Sequence, residues 1–381
     1  MKSKFRKLRI LHIHHSLYLT NLIVRGMRQQ GYDAANVYFN FIPDSTEANL
    51  TWGSDYNLKS NISGLPQQAS FFIHAIKNFD IFHFWASPFL ISKLYNNSCY
   101  HIPIDLWLLK KYGKKIIWQS GGCNTMILPS TWSKEIDPEI CDTCQTTQGE
   151  YYGYCSDRYV NHHNQKMKKY ADLRFGTGMN LDHEKDSGFV FPPVDLDLWN
   201  PDISIPQKYV YERSNPNSLL IFHGLGLQGV PSRGNIKGTI WIKETIDELR
   251  SEGYNIELMY VESVPNQIVR FYQAQADIVI DQLLVPGGGQ LSRECLALGK
   301  PVLTRVHPNQ IETYKKTSFP NDPPPYIPTD RKNLKNNLIK IIESANLRES
   351  IGKKSVEFAR NMLSPQISAK KYIEYYQTLF E

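Results

Sequence analysis

Along the chain, short continuous apolar runs alternate with stretches whose apolar residues recur every three or four positions. "LRILHIH" (8–14) is apolar throughout and predicts a buried strand. "SLYLTNLIVRGMRQQ" then sets Leu19, Leu22, Ile23, Gly26 and Met27 on one helical face, with Gly31 as its C-terminal cap. "ANVYF" predicts the next strand, and the polar stretch from Asn40 to Gln68 predicts a long loop. The pattern resumes with the strand "FDIFHFWA", the helix "IDLWLLKKYG" and the strand "KKIIWQ".

A second series follows "KMKKYADLRFGTG" and the proline-rich crossing "FVFPPVDLDLWNP". It runs "SLLIFHG", "GTIWIKETIDELRSEGY", "NIELMYV", "NQIVRFYQAQ", "ADIVIDQ", the glycine turn and helix of "VPGGGQLSRECLALGK", and "PVLTRV". Repeated βα units with unbroken apolar strands imply parallel sheets covered on both faces. The fold class expected is α/β, with two facing Rossmann-like doubly wound domains. Residues 1–200 form the first, on the acceptor side, with a cysteine-rich insertion at about 121–160. Residues 201–363 form the second, and 364–381 a closing helix expected to pack back on the first. A chain of 381 residues suits two such cores better than one. Ligands of open α/β sheets bind outside the carboxyl ends of the strands, so the chemistry is expected between the domains.

Composition narrows the classes. With 41% hydrophobic, 21% charged and 12% aromatic residues, the chain is not a disordered one. The net charge of +6 is mild, and acidic and basic residues are mixed throughout, which argues against a nucleic-acid partner. The leading run "MKSKFRKLR" suits either a solvated leader or peripheral contact with an anionic membrane surface. No run reaches the ~18 apolar residues of a spanning helix, and the start lacks the apolar core of a signal peptide. The location expected is cytoplasmic, with the inner face of a membrane within reach.

Cys123, Cys141, Cys144 and Cys155 fall within 33 residues, in the order C-x17-C-x2-C-x10-C. Four thiolates suffice to close a tetrahedral zinc site. Scattered reduced thiols and a redox pair at Cys141 and Cys144 remain open beside it. His12, His14 and His15, and His162 with His163, are clustered, and core or surface histidines are the simpler reading than a metal site; His15 faces the expected cleft and suits an acceptor contact.

The cleft chemistry rests on two stretches. In "HGLGLQGVPSRGNIKGT", Arg233 and Lys237 precede a helix at the carboxyl end of a strand, where two cations and a helix N-terminus can neutralise a diphosphate. In the other, Gly287, Gly288 and Gly289 let a phosphate or sugar approach bare backbone, while Glu294 in the following helix can accept from ribose hydroxyls. Singly, each is equally a flexible turn, an exposed pair or a solvated carboxylate. Cations for phosphates beside an acid for diols fit a nucleotide sugar.

"PSRGNIKGT", "YVESVPN" and "ADIVIDQLLVPGGGQLSRECLALGKPV", in this order and spacing, resemble the C-terminal domain of GT-B glycosyltransferases of the retaining, family-4-like group. "PPPYIPTDRKNLKNNLIKIIESANLRESIGKKSVEFA" resembles that group's closing helices, and "FDIFHFW", "LLKKYGKKIIWQSGG" and "FPPVDLDLW" resemble its first half more loosely. The resemblance implies transfer of a sugar from a nucleoside-diphosphate sugar to a glycan or lipid-linked acceptor, in cell-surface polysaccharide assembly, with no catalytic metal. It implies catalytic roles for Arg233, Lys237 and Glu294, and donor contacts at Gly287, Gly288, Gly289 and Gln290. The segment Tyr260–Val264, with Glu262, corresponds to the strand end that contacts the base. The group's first motif acid falls on Pro286, so a carboxylate such as Asp281 must replace it; its usual histidine falls near Gly121, leaving His83 as a candidate. The glycine-rich first loop is replaced by "HHSLYLTN". "DLD" at 195–197 is the only string suited to a metal-bound diphosphate, and it lies in the proline-rich crossing. A nucleotide-sugar epimerase or phosphorylase of the same fold, and a non-catalytic zinc-bearing binding module, are the alternatives.

Overall fold

The computed structural model describes residues 8–14, 18–39, 53–59, 61–85, 90, 103–120, 125–142, 144, 155–226, 236–318 and 322–381. Six parallel strands build the first sheet: β1 (Arg9–Ile13), β2 (Asp33–Phe39), β3 (Tyr56–Leu58), β4 (Ile81–Trp85), β5 (Lys115–Gln119) and β6 (Leu173–Phe175). Their order, β3-β2-β1-β4-β5-β6, reverses direction between β1 and β4. Five parallel strands build the second: β7 (Leu219–Leu225), β8 (Ile256–Glu262), β9 (Ile278–Ile280), β10 (Val302–Thr304) and β11 (Ile327–Pro328). The order β11-β10-β9-β7-β8 reverses between β7 and β9. These are the two common doubly wound arrangements, and each reversal opens a crevice at the strand ends.

The apolar strands are buried on both faces because helices cover both. Helix α1 (Leu19–Gln29) turns Leu22, Ile23 and Met27 inward, each fully buried, which is worth roughly 1.5–3 kcal/mol per side chain. Helix α2 (Leu65–Asn78) begins within the stretch expected to be a loop, and β3 also lies there. The strand is only three residues long and pairs with β2 alone, so no local apolar run announces it. Helices α3 (Ile104–Lys111) and α4 (Asp157–Tyr170) complete the first domain. In the second, α5 (Thr239–Ser251), α6 (Asn266–Gln275), α7 (Gln290–Ala297) and α8 (Pro308–Thr317) follow successive strands. Helices α9 (Leu334–Glu343) and α10 (Ala345–Met362) come next in the chain.

Helix α11 (Pro365–Gln377) lies along α1 of the first domain. The helices meet so closely at Gly26 that a Cβ there would collide with the Pro365 carbonyl. A second tie joins the loop 176–184 to α8. The buried Glu184 carboxylate gathers the amides of Thr177, Met179 and Asn180 at 2.5, 2.9 and 3.1 Å. Thr313 and Asn309 then bond the carbonyls of Gly178 and Met179. Helical turns over Pro129–Thr131 and Trp132–Ile136 make a third, packing Trp132, Ile136 and Ile140 against Leu284. There Arg305 ion-pairs with Asp137 at 3.1 Å, and Arg331 reaches Asp137 and Glu139. No helix among the described residues is long and apolar enough to cross a membrane.

Candidate functional site

The crevice of the second sheet lies between β7 and β9, and Lys237 spans it. Its Nζ donates to the Gly224 carbonyl at the end of β7 (2.8 Å) and to Asp281 Oδ1 just beyond β9 (2.7 Å). Asp281 is fully buried; its Oδ2 accepts from the Gly289 amide at 3.0 Å and from Ser292 Oγ at 2.6 Å. Burial alone would raise the Asp281 carboxyl, but the Lys237 charge and these hydrogen bonds hold it below the ordinary range. Beneath lies the buried His223. Its Nδ1 faces the Ile280 carbonyl at 2.9 Å, which can only accept, so Nδ1 carries the proton and Nε2 accepts from Thr239 Oγ1 at 2.9 Å. Burial, then the nearby Lys237 charge, pushes this imidazole down to about 4, so it is neutral at pH 7.

The glycine turn has φ of +119° at Gly287 and +57° at Gly288, conformations that glycine adopts without strain. A Cβ on Gly287 would lie 2.8 Å from Gln310 Nε2, and one on Gly288 would lie 2.9 Å from the Tyr326 hydroxyl. Bare backbone at these two positions is therefore required by the neighbouring side chains of Gln310 and Tyr326. Arg293 Nη1 donates to the Gly288 carbonyl at 2.9 Å and holds the turn from the helix side.

Glu294 sits one turn into α7, almost wholly buried. Its Oε1 accepts from the Tyr18 hydroxyl at 2.5 Å and from Asn266 at 3.1 Å, and its Oε2 from Gln273 at 3.1 Å. Burial raises its carboxyl, and these donors offset part of the rise. Tyr18 belongs to the first domain, at the start of α1. Its ring stacks on Trp199, centroids 5.6 Å apart and 10° from parallel, and its hydroxyl also accepts from Gln290 Nε2 at 2.5 Å. In this arrangement a phenol of the first domain stands where the resemblance implies a ribose diol. Gln290 is likewise engaged between domains, donating to the Pro193 carbonyl at 3.2 Å. Tyr18, Ser292 and Arg293 were not among the residues singled out in the sequence. The replacement of a glycine-rich loop by "HHSLYLTN" was the available signal for Tyr18.

At the end of β8, Glu262 is exposed and accepts from the Tyr260 hydroxyl at 2.9 Å. Lys243 Nζ lies 4.2 Å from the centre of the Tyr260 ring. Arg233, His15 and Cys123 lie outside the described residues.

His83 does not line the cleft. It is fully buried beneath α11, with Nδ1 2.6 Å from the Tyr376 hydroxyl. Strand alternation explains this: His83 pairs in register with His12 on the face that α1 and α11 cover. His12 Nδ1 accepts from the Trp85 indole at 3.0 Å, the two imidazoles lie 4.8 Å apart, and burial lowers both, His12 to about 3. Within the "DLD" string, Asp195 is buried and ion-pairs with Arg25 at 3.0 Å, while Asp197 is exposed.

Cys141, Cys144 and Cys155 form no disulfide and lie near enough for their charges to interact. They do not converge: the described residues contain no group of three or more His, Cys, Asp or Glu placed to hold a metal. The Cys141 thiol points instead to the Pro129 carbonyl, 3.8 Å away. The zinc expectation thus gains no support from the described residues.

No protein-family model and no curated relative matches the chain. Solved structures do. The sucrose-phosphate synthase of Thermosynechococcus elongatus is similar over 98% of this chain and 99% of its own, with a TM-score of 0.58 at 11% identity. Anabaena HepE in complex with UDP-glucose is similar over 97% and 100%, with a TM-score of 0.57 at 11% identity. WaaG, a glycosyltransferase involved in lipopolysaccharide biosynthesis, is similar over 95% and 98%, with a TM-score of 0.51 at 11% identity. At such identity, what is shared is the arrangement of two facing Rossmann-like domains.

Proposed function

We propose that this chain, which has the GT-B fold, is a retaining glycosyltransferase that moves a sugar from a nucleoside-diphosphate sugar to a glycan or lipid-linked acceptor. The observation that carries the reading is Lys237: an ammonium at the strand-order reversal of the second domain, held by Gly224 and Asp281, with one of its three N–H donors unpartnered among the described residues. That is where an open α/β sheet presents ligands, and a fixed cation suits a diphosphate.

In this reading the bond between anomeric carbon and phosphate oxygen breaks with its electron pair leaving on the diphosphate. Lys237, joined by Arg233, meets the charge as it develops, which is worth roughly 3–4 kcal/mol per preorganised contact. An acceptor hydroxyl forms the new bond on the same face and passes its proton to the departing diphosphate oxygen. Gly287, Gly288, Gly289 and Gln290 shape the donor side, and Glu262 stands at the base-contacting strand end. Glu294 serves the ribose only if Tyr18 withdraws from it. With leaving-group charge met by side chains, EDTA is expected to leave turnover intact; loss of activity restored by magnesium or manganese overturns this. A role in cell-surface glycan assembly is supported by the likeness to WaaG, and contact with the inner face of a membrane by the basic run "MKSKFRKLR". Metal analysis of the purified chain decides whether Cys123, Cys141, Cys144 and Cys155 hold a structural zinc, one per chain being the positive result.

The test of the central reading is a thermal-shift screen against UDP-, ADP-, GDP- and TDP-sugars. A donor that binds only the folded chain raises the melting temperature, by about 2.7 kcal/mol of stabilisation at a hundred times its Kd. Hydrolysis or transfer of that donor's sugar is then read by product analysis. A chain that binds none of them is not a nucleotide-sugar enzyme.

A further inference from the structure

Asp281 is the most completely buried charge at the crevice, and the sequence suggested it as a replacement contact for the donor sugar. Its geometry is wrong for that role. The side chain is fully buried, Oδ1 is held by Lys237 at 2.7 Å, and Oδ2 already accepts from both the Gly289 amide and Ser292 Oγ. A sugar hydroxyl has no approach to it. What the carboxylate does is join three separate pieces of chain: the end of β9, the loop that carries Lys237, and the glycine turn that opens α7.

Resting on the transferase reading above, we infer that Asp281 is a positioning residue for the leaving diphosphate. It aims the Lys237 ammonium and locks the turn beside it, acting on the donor only through Lys237. Two features of the ammonium support this. The Lys237 side chain keeps 13% of its surface exposed while Asp281 keeps none, so the pair has an inner and an outer member. Lys237 is also fixed from two directions, by Gly224 and by Asp281, which leaves its remaining N–H pointing along a single line. A lysine otherwise holds its charge on four rotatable bonds, and fixing it beforehand removes that ordering cost from the bound state. Ser292 completes the device by holding Asp281 from the opposite side at 2.6 Å.

The test is a double-mutant cycle read by calorimetric binding of UDP, ADP, GDP and TDP, and of the matching nucleosides, to the full chain. Asp281→Asn keeps the shape and removes the charge; it is expected to weaken diphosphate binding by about 10-fold or more, the usual worth of a hydrogen bond to a charged group. Nucleoside binding should not move, because no phosphate is present. In a Lys237→Met background the same Asp281→Asn change is expected to cost less than about 2-fold, since its effect runs through the missing ammonium. Asp281→Glu should recover part of the loss.

Ser292→Ala supplies a variant that leaves the buried charges paired, so the inference remains testable should Asp281→Asn not fold. It is expected to weaken diphosphate binding by about 3-fold in the natural chain and not at all with Lys237→Met. Equal losses with and without Lys237, or equal losses for nucleoside and diphosphate, overturn the positioning role and leave the transferase reading standing. A natural chain that binds none of the four diphosphates removes both.

Discussion

The two sheets of this molecule each reverse their strand order once, and the described residues near the two reversals carry opposite chemistry. At the β7/β9 reversal the strand ends hold an ammonium, a carboxylate and a neutral imidazole, every one hydrogen-bonded. Near the β1/β4 reversal, His12, His83 and Trp85 form an aromatic stack under α11. Both histidines there keep Nε2 without a partner among the described residues. One reversal carries fixed charge, while the side chains near the other lie packed beneath α11. A shared fold therefore says where a site can be, and the side chains at the reversal decide whether it is one.

Breaking the charged side has the largest expected effect. Lys237→Met should lower transfer by about 10²–10³-fold. It should also cost about 3–5 kcal/mol of stability by stranding the buried Asp281 carboxylate. Urea midpoints check the second figure, and adding Asp281→Asn should recover part of it.

The link between the regions comes next. Tyr18→Phe removes the hydroxyl shared by Glu294 and Gln290, at a cost of about 1.5–3 kcal/mol. It should also free the carboxylate for a ribose, so the donor's Kd is expected to fall. An unchanged Kd would show that Tyr18 and Glu294 only couple the domains.

On the covered side, Gly26→Ala sets a methyl against the Pro365 carbonyl and should cost about 1–3 kcal/mol. Differential scanning calorimetry should show first-domain melting shifted more than the second.

The smallest effect compares the two sides by pH. Burial holds His12 near 3, His163 near 4 and, with Lys237, His223 near 4, while an unfolded histidine titrates near 6.5. The unfolded chain therefore binds more protons between those values. Stability is fully present well above pH 6.5 and falls as pH drops toward 4, by about 1 kcal/mol per histidine over the first full pH unit below 6.5. His12→Phe should flatten that acid limb in a pH series of urea midpoints.

Much of the fold was legible because its strands are buried on both faces. "IFHFW", "LLIFHGL" and "IELMYVE" are strands in the structure, and the periodic stretches between them are helices. β3 and the start of α2 were not legible, because a three-residue edge strand carries no period and "LPQQ" carries no apolar stripe. Of the candidate site, Lys237 and the glycine turn are joined through Asp281, and Glu294 lies one turn into the helix that the turn opens. The partners that give them meaning lie far along the chain: Tyr18 is 276 residues from Glu294, and Asp281 is 44 from Lys237.

The order of apolar runs, by itself, determined two parallel α/β layers and the strand ends at which polar residues gather, since period and burial are local consequences of residue type. Only the tertiary structure decided which of those polar groups face each other. Asp281, Glu294 and His83 could each have been a ligand contact by type and by position along a strand or helix. Each is turned inward because a buried polar group must find a partner, and the partner was supplied by a distant segment that no local pattern announces.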